Sequence, residues 1–190
     1  GEPVTWVDPW PHITDGGTTY AADADAHPGN DRAWRLVLVP RADLESEDQA
    51  RLEAGWSLAG TWATESARIA AYRPRASQEV DETTLPHELD WLRTAVHLHK
   101  GCYRGQETVA KVHNVGRPPR RLTLLHLDGS GHSIPELGAP VMIGEGENAK
   151  QAGRITSVGR HFEYGPIALA MIKRATDPSA QLNIPSDGGD

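Results

Sequence analysis

With 190 residues, 38% apolar and 24% charged side chains, the chain has the composition of a soluble globular protein, and none of its apolar runs approaches the roughly 20 residues that cross a bilayer. Its 26 acidic against 19 basic residues give a formal charge of -7, which argues against a general nucleic-acid coat and against an anionic membrane surface, so any anion must be held locally. A single cysteine excludes an internal disulfide and, with no signal-like opening, favours the reducing cytoplasm.

The first residue is glycine rather than methionine, and the strand pattern Val4-Thr5-Trp6-Val7 follows at once without a partner before it, which leads us to expect a fragment. Residues 1–35, punctuated by Pro9, Pro11, Gly16, Gly17 and Pro28, predict short strands and loops, with Thr18-Thr19-Tyr20 a further strand candidate. Trp34 to Val39 is β-branched and apolar up to Pro40, the pattern of a largely buried strand. Asp43 then stands where an N-cap would, and Leu44, Ala50, Leu52 and Ala54 form a loosely helical run closed by Gly55. A second helix spaces Trp62, Ser66, Ile69 and Arg73 by three or four, so one stripe would bury Trp62 and Ile69 before Pro74.

After a polar stretch, Thr84 and Pro86 predict the start of a short helix with Leu89, Trp91 and Leu92. From Ala95 the pattern alternates, placing Val96 and Leu98 on one face of a strand and His97 and His99 on the other. Beyond Pro118-Pro119 the signal is β throughout: Leu122 to Leu127, a turn at Asp128-Gly129, Pro140 to Ile143, a turn around Gly144 and Gly146, Gly153 to Val158, and Pro166 to Ile172. Short strands at close intervals predict a small antiparallel barrel or sandwich, followed by a disordered tail.

The sharpest local feature is Lys100-Gly101-Cys102-Tyr103-Arg104-Gly105-Gln106-Glu107. Two nearby glycines suggest a tight turn around the only cysteine, Lys100 and Arg104 place positive charge beside it, and Gly105-Gln106-Glu107 could open a helix whose amide dipoles point back at the sulfur. Both effects favour a thiolate; the alternative is a small buried hydrophobe. His97, His99 and Cys102 also read as His-x-His-x-x-Cys, competent for zinc or iron, although no Cys-x-x-Cys accompanies them. Hydrolase and nucleotide-loop patterns are absent: there is no Gly-x-Ser-x-Gly, and Gly129-Ser130-Gly131 and Gly144-Glu145-Gly146 read as hairpin turns. Arg117, Arg120 and Arg121, with Lys111 and Arg104, form a basic stretch suited either to a solvated strand edge or to carboxylates and phosphates.

The octapeptide resembles the Lys-Gly-Cys-Tyr-x-Gly-Gln-Glu signature of the YgfZ-type folate-binding proteins, relatives of the glycine-cleavage aminomethyltransferases (T-protein). The likeness extends through Arg68-Ile69-Ala70-Ala71, Arg73-Pro74-Arg75, Glu79-x-Asp81-Glu82, Thr84-Leu85-Pro86-His87-Glu88 and Arg117-Pro118-Pro119-Arg120-Arg121-Leu122, with Tyr72 where the family usually has glycine. The resemblance implies an α+β fold: the C-terminal part of a ring of subdomains around a tetrahydrofolate pocket. A partial ferredoxin-like α+β subdomain would occupy residues 1–116 and a small antiparallel β-barrel residues 117–183, with residues 184–190 a disordered tail. Carried over residue by residue, Cys102 would be the functional thiol. Lys100, Tyr103, Gln106 and Glu107 would shape its loop, and Arg68 and Glu79 would lie on the folate side.

The implied role is a tetrahydrofolate-binding accessory protein that supports assembly or repair of iron–sulfur client proteins, including tRNA-modifying enzymes, with no direct contact to nucleic acid or membrane. Two other readings remain open: folate-dependent one-carbon transfer of the aminomethyltransferase kind, and a metal- or cluster-handling module using His97, His99 and Cys102. The basic stretch would suit a polyglutamated folate. Half a ring would also leave an apolar face uncovered, so self-association or a missing N-terminal segment is expected.

Overall fold

The computed structural model describes residues 3–21, 23–128 and 134–185. Strands β1 (Val4–Val7) and β2 (Arg35–Leu38) pair antiparallel, with Val4 opposite Leu38 and Trp6 opposite Leu36. Both strands lie where the sequence places them, but the expected burial of β2 is not found: every residue of the pair is exposed. The physical reason is that this two-stranded sheet gains no third strand and no covering layer among the described residues, so an apolar strand has nothing to bury against. Helix α1 (Leu44–Glu53) likewise buries no residue, as its poorly striped sequence allows. Apolar side chains are thus exposed on β1, β2 and α1, and Trp56, Leu58 and Trp62 are exposed as well.

Helix α2 (Thr61–Ala70) is the element that joins the two halves of the chain. It buries Ser66 and Ile69 against strand β5 (Lys150–His161) at Gly159, where an added Cβ would lie 3.0 Å from Ser66 Oγ and 3.1 Å from Ile69 Cδ1. Ser66 Oγ accepts a hydrogen bond from the Arg160 amide at 3.1 Å and fixes this contact. Trp62, one turn nearer the helix start, falls outside it and stays 56% exposed, contrary to the expected stripe. A four-residue helix, α3 (Ala76–Glu79), and two 3-10 turns, Pro86–Leu89 and Trp91–Arg93, follow, in agreement with the helix start read at Thr84 and Pro86. The strand expected from Ala95 does not form: the segment is a chain of turns held by Leu98 N donating to Gly16 O at 2.7 Å. Nor is Thr18-Thr19-Tyr20 a strand, because Thr19 Oγ1 and the Tyr20 amide both donate to the Asp90 carboxylate.

Helix α4 (Gln106–Val115) opens at Gly105, whose φ of 81° is a left-handed conformation that favours glycine, and leads to the C-terminal sheet. That sheet joins β3 (Arg120–His126), β4 (Pro140–Ile143), β5, β6 (Gly165–Lys173) and β7 (Leu182–Asn183) in the antiparallel order β3-β6-β5-β4-β7. Irregularities in register between Val141 and Met142 and between Ile155 and Ser157 bend it, as bulges do. The result is a curled antiparallel half-barrel, compatible with the small antiparallel barrel read from the sequence, with β3 and β7 as its edges among the described residues. The turn expected at Asp128-Gly129 and most of the tail expected to be disordered lie outside the described residues.

Strand β6 is buried on both faces, which explains its unbroken apolar run. Ile167, Leu169 and Met171 pack with Leu122, Ile69 and Leu89, whereas Ala168, Ala170 and Ile172 pack with Val141 and Ile155 inside the curl. The first of these clusters crosses residue 117 and binds the helical half to the sheet. No helix among the described residues is long and apolar enough to cross a membrane.

Candidate functional site

Cys102 is exposed, on the loop between the turns after Trp91–Arg93 and the start of α4. Beside it lies a cavity of about 630 Å³, within the size range of small-molecule sites. Its lining combines Lys100, Tyr103, Arg104 and Gly105 from the loop, Thr108 and Val109 from α4, Thr84 to Pro86, Thr94 to His97, and Thr14 and Asp15 from the N-terminal segment. Cys102 itself stands outside the lining, between two residues that belong to it. Gln106 and Glu107 occupy the first turn of α4 and do not line the cavity. The cavity therefore brings together two cationic side chains, a tyrosine ring, a histidine, several hydroxyls and one carboxylate, a set suited to a polar ligand that carries both hydrogen-bonding groups and negative charge.

The cavity wall rests on a buried polar scaffold. His87, within the Pro86–Leu89 turn, is 2% exposed, with its ring edge-on to Tyr20 at 5.0 Å between centroids, and burial lowers its pKa below the usual imidazole value. Tyr20 Oη lies 3.0 Å from His113 Nδ1 on α4, and burial raises the phenol pKa. His27, on the far side of Asp90, has its pKa lowered to about 4, first by burial and then by the nearby Arg93 guanidinium.

Arg68 and Glu79, which the family resemblance places on the folate side, form a buried clamp. They are 5% and 0% exposed, with Arg68 Nη1 3.6 Å from Glu79 Oε2. Arg68 also donates to Ser157 Oγ at 2.6 Å and to the Arg73 carbonyl at 2.6 Å, and it pairs with Glu65. Glu79 accepts from Ser157 Oγ at 2.5 Å and from the Arg75 amide at 2.7 Å. These partners are protein groups, and neither side chain lines the cavity beside Cys102. Loop and clamp thus lie in separate parts of the molecule.

Two expectations need correction. Within the basic stretch Arg104, Lys111 and Arg117 are exposed, but Arg120 and Arg121 are engaged by protein groups. Arg120 Nη1 lies 2.8 Å from Asp81 Oδ2 and Nη2 2.8 Å from Glu88 Oε2, while Arg121 donates to the carbonyls of Arg174 and Thr176 at 2.8 Å each. The Arg120 charge is thus matched by two carboxylates, and the Arg121 fork is turned onto backbone carbonyls, so neither guanidinium is a free charge. The Arg120 contact holds the Asp81 carboxyl well below the usual carboxylate range. Nor do His97, His99 and Cys102 converge: among the described residues no three His, Cys, Asp or Glu side chains could hold a metal ion together. His97 instead abuts Gly16, and its Nε2 lies 3.7 Å from Asp15. The alternating pattern that suggested a shared face for the histidines required a strand, and the strand is absent.

The residues that sequence reasoning missed are Thr14, Asp15, Thr84, Thr94 and Thr108, small polar groups brought together from four segments. Thr84 lies in a stretch read only as a helix start, and no local motif marks the others; the packing of the N-terminal segment against the Trp91–Arg93 turn, where Thr14 N donates to Arg93 O at 2.8 Å, shows their relation.

No family model matches the chain. It is similar to "tRNA-modifying protein YgfZ" of Aliivibrio fischeri (strain MJ11), with 33% identity over 161 residues, 82% of this chain and 48% of the relative. The protein of the same name from Vibrio atlanticus is 25% identical over 162 residues, 82% of this chain and 47% of the relative. That of Escherichia coli (strain SMS-3-5 / SECEC) is 27% identical over 92 residues, 48% of this chain and 28% of the relative. The chain spans about half the length, or less, of these curated relatives.

Proposed function

Starting from a chain that is YgfZ-type over the span shared with those relatives, we propose that it acts as a tetrahydrofolate-binding accessory protein in tRNA modification, supporting iron–sulfur client enzymes through the Cys102 thiol. The observation that carries this reading is the cavity of about 630 Å³ walled by the signature loop, with the exposed thiol set between two of its lining residues.

The residues present fit the ligand. Tyr103 offers a ring face to a pterin, Asp15 and the threonine hydroxyls can meet its amino and carbonyl edge, and Lys100 and Arg104 suit the glutamate carboxylates. Tetrahydrofolate, when bound, supplies a carrier for one-carbon units. The chain's own part is to bind and orient: the cations fix the carboxylate end, α4 and the Pro86–Leu89 turn close two walls, and Cys102 remains open to a client protein at the rim.

Calorimetry with tetrahydrofolate tests the binding. The double variant Lys100→Ala/Arg104→Ala changes only exposed side chains and is expected to weaken binding roughly tenfold, the scale of lost charge-assisted hydrogen bonds. Absence of heat, or an unchanged affinity in the double variant, would overturn the reading. Alkylation of Cys102 should slow when tetrahydrofolate is bound. In cells lacking their own YgfZ protein, Cys102→Ser should fail to restore the tRNA modification that the unaltered chain restores.

A further inference from the structure

The tip of the β5–β6 hairpin carries an unusual run of rings. His161 stacks on Tyr164 with centroids 4.5 Å apart and planes 17° apart, and it lies against Phe162 at 4.4 Å and 34°. His126 meets Tyr164 edge-on at 5.5 Å and closes that side of the cluster. The other end is open: Phe162 is 91% exposed, the most exposed large apolar side chain among the described residues. Across a hollow of about 560 Å³ stands Trp34, with the Arg32 guanidinium 4.9 Å over its ring. Asp31 and Glu163 line the same hollow.

Folding does not require this arrangement. Phe162 belongs to neither buried cluster, and an apolar ring left in water loses the hydrophobic gain that would otherwise place it inside. A stack that ends on an exposed face offers that face to another flat ring. The charges narrow the choice of ring. Arg160, just before the cluster, and Arg35, just after Trp34, are exposed guanidiniums that pair with no carboxylate among the described residues, in a chain whose overall charge is -7. Asp31 and Glu163 can accept from ring amino groups but would repel a free anion. A ring that brings few phosphates, held on one face only, meets these conditions. An enclosed small molecule does not, because such ligands bury most of their surface.

We infer that the hollow between the β5–β6 hairpin and Trp34 binds an unpaired nucleobase of single-stranded RNA, stacked on Phe162, with Arg160 near the flanking phosphate. The binding mode goes beyond the sequence expectation of no nucleic-acid contact, and the choice of RNA as its source rests on the proposed role in tRNA modification. Single bases stacked on aromatic side chains need no continuous basic groove, which reconciles the site with the acidic composition.

A short single-stranded RNA with 2-aminopurine at its centre reports stacking as loss of fluorescence when titrated with the full chain. Quenching is expected, with Phe162→Ala weakening binding roughly tenfold, the scale of one lost base–aromatic stack. Arg160→Ala should reduce the slope of log affinity against log salt by about 0.7, as one lost phosphate contact does on a single strand. Thermal midpoints should be unchanged in Phe162→Ala, because that ring buries almost nothing, and its tetrahydrofolate affinity should also be unchanged. No quenching, equal binding of duplex RNA, or an unaltered affinity in Phe162→Ala would overturn the inference. So would displacement of the RNA by tetrahydrofolate, which would show a pterin pocket, or a client protein that needs Phe162 where RNA does not. Loss of tetrahydrofolate binding at Lys100 and Arg104 fails separately and leaves this outcome readable.

Discussion

Two sheets in this molecule are built from similar residues and come to opposite ends. The β1–β2 pair, Val-Thr-Trp-Val against Arg-Leu-Val-Leu, is exposed along its whole length. Strand β6, Gly-Pro-Ile-Ala-Leu-Ala-Met-Ile-Lys, buries six consecutive residues. Both have strand propensity and both pair antiparallel, so local preference does not separate them. The difference is a covering layer. α2 and the Pro86–Leu89 turn roof one face of β6, and the curl of the sheet encloses the other, whereas nothing described lies over β1 and β2. Strand formation and strand burial are therefore separate events, one decided by backbone preference and the other by what packs above.

The largest test of this contrast removes the clamp that ties the roof to the sheet. Arg68→Ala leaves Glu79 buried and without its guanidinium, and a loss of about 3–5 kcal/mol is expected from urea unfolding. An effect below about 1 kcal/mol would show that the clamp does not hold α2 to β5. Next comes the core beneath it: Leu169→Ala should cost about 2–5 kcal/mol through the cavity it opens, while Leu38→Ala on the open sheet should stay within about 0.5 kcal/mol. Similar values for both substitutions would mean that the open pair is covered in solution.

A pH series gives the next effect. Unfolded chains protonate histidine near pH 6.5, but buried His27 resists until about pH 4, so between these values the unfolded state binds the extra proton. Stability should therefore fall by up to about 3 kcal/mol as pH drops from 6.5 to 4, and His27→Gln should flatten that slope. A wild-type curve that stays level there would place His27 in contact with water. The smallest effect concerns Tyr72, whose hydroxyl donates to the Leu122 carbonyl across the join between the two regions. Tyr72→Phe should cost about 1 kcal/mol, and no change would remove that bond from the account.

Much of the architecture is legible in the sequence because it depends on short-range chemistry. Pro140 to Ile143 is bounded by turn residues and forms a strand of those limits. Gly105 supplies the left-handed residue that starts α4, as Gly105-Gln106-Glu107 suggested. The Ala95 to His99 alternation misled because periodicity describes a strand only when a neighbouring strand accepts its hydrogen bonds, and Gly16 offers a single one. β7 escaped notice because two residues carry no period at all.

The site divides in the same way. The octapeptide announces itself through residue types whose meaning is local: two glycines for the turn, cations near a thiol, and a helix start just after. The cavity does not, since Thr14, Thr84, Thr94 and Thr108 come from distant segments and acquire a shared purpose only by packing. Arg120 and Arg121 show the limit most plainly, because in sequence they read as free charge, while in space Asp81, Glu88 and two carbonyls engage them. What the sequence alone determined is the set of turns, strands and reactive groups that a few neighbouring residues specify. The tertiary structure decided which apolar strands are covered, which charges are already satisfied and where a hollow remains, because burial and ion pairing depend on groups tens of residues apart.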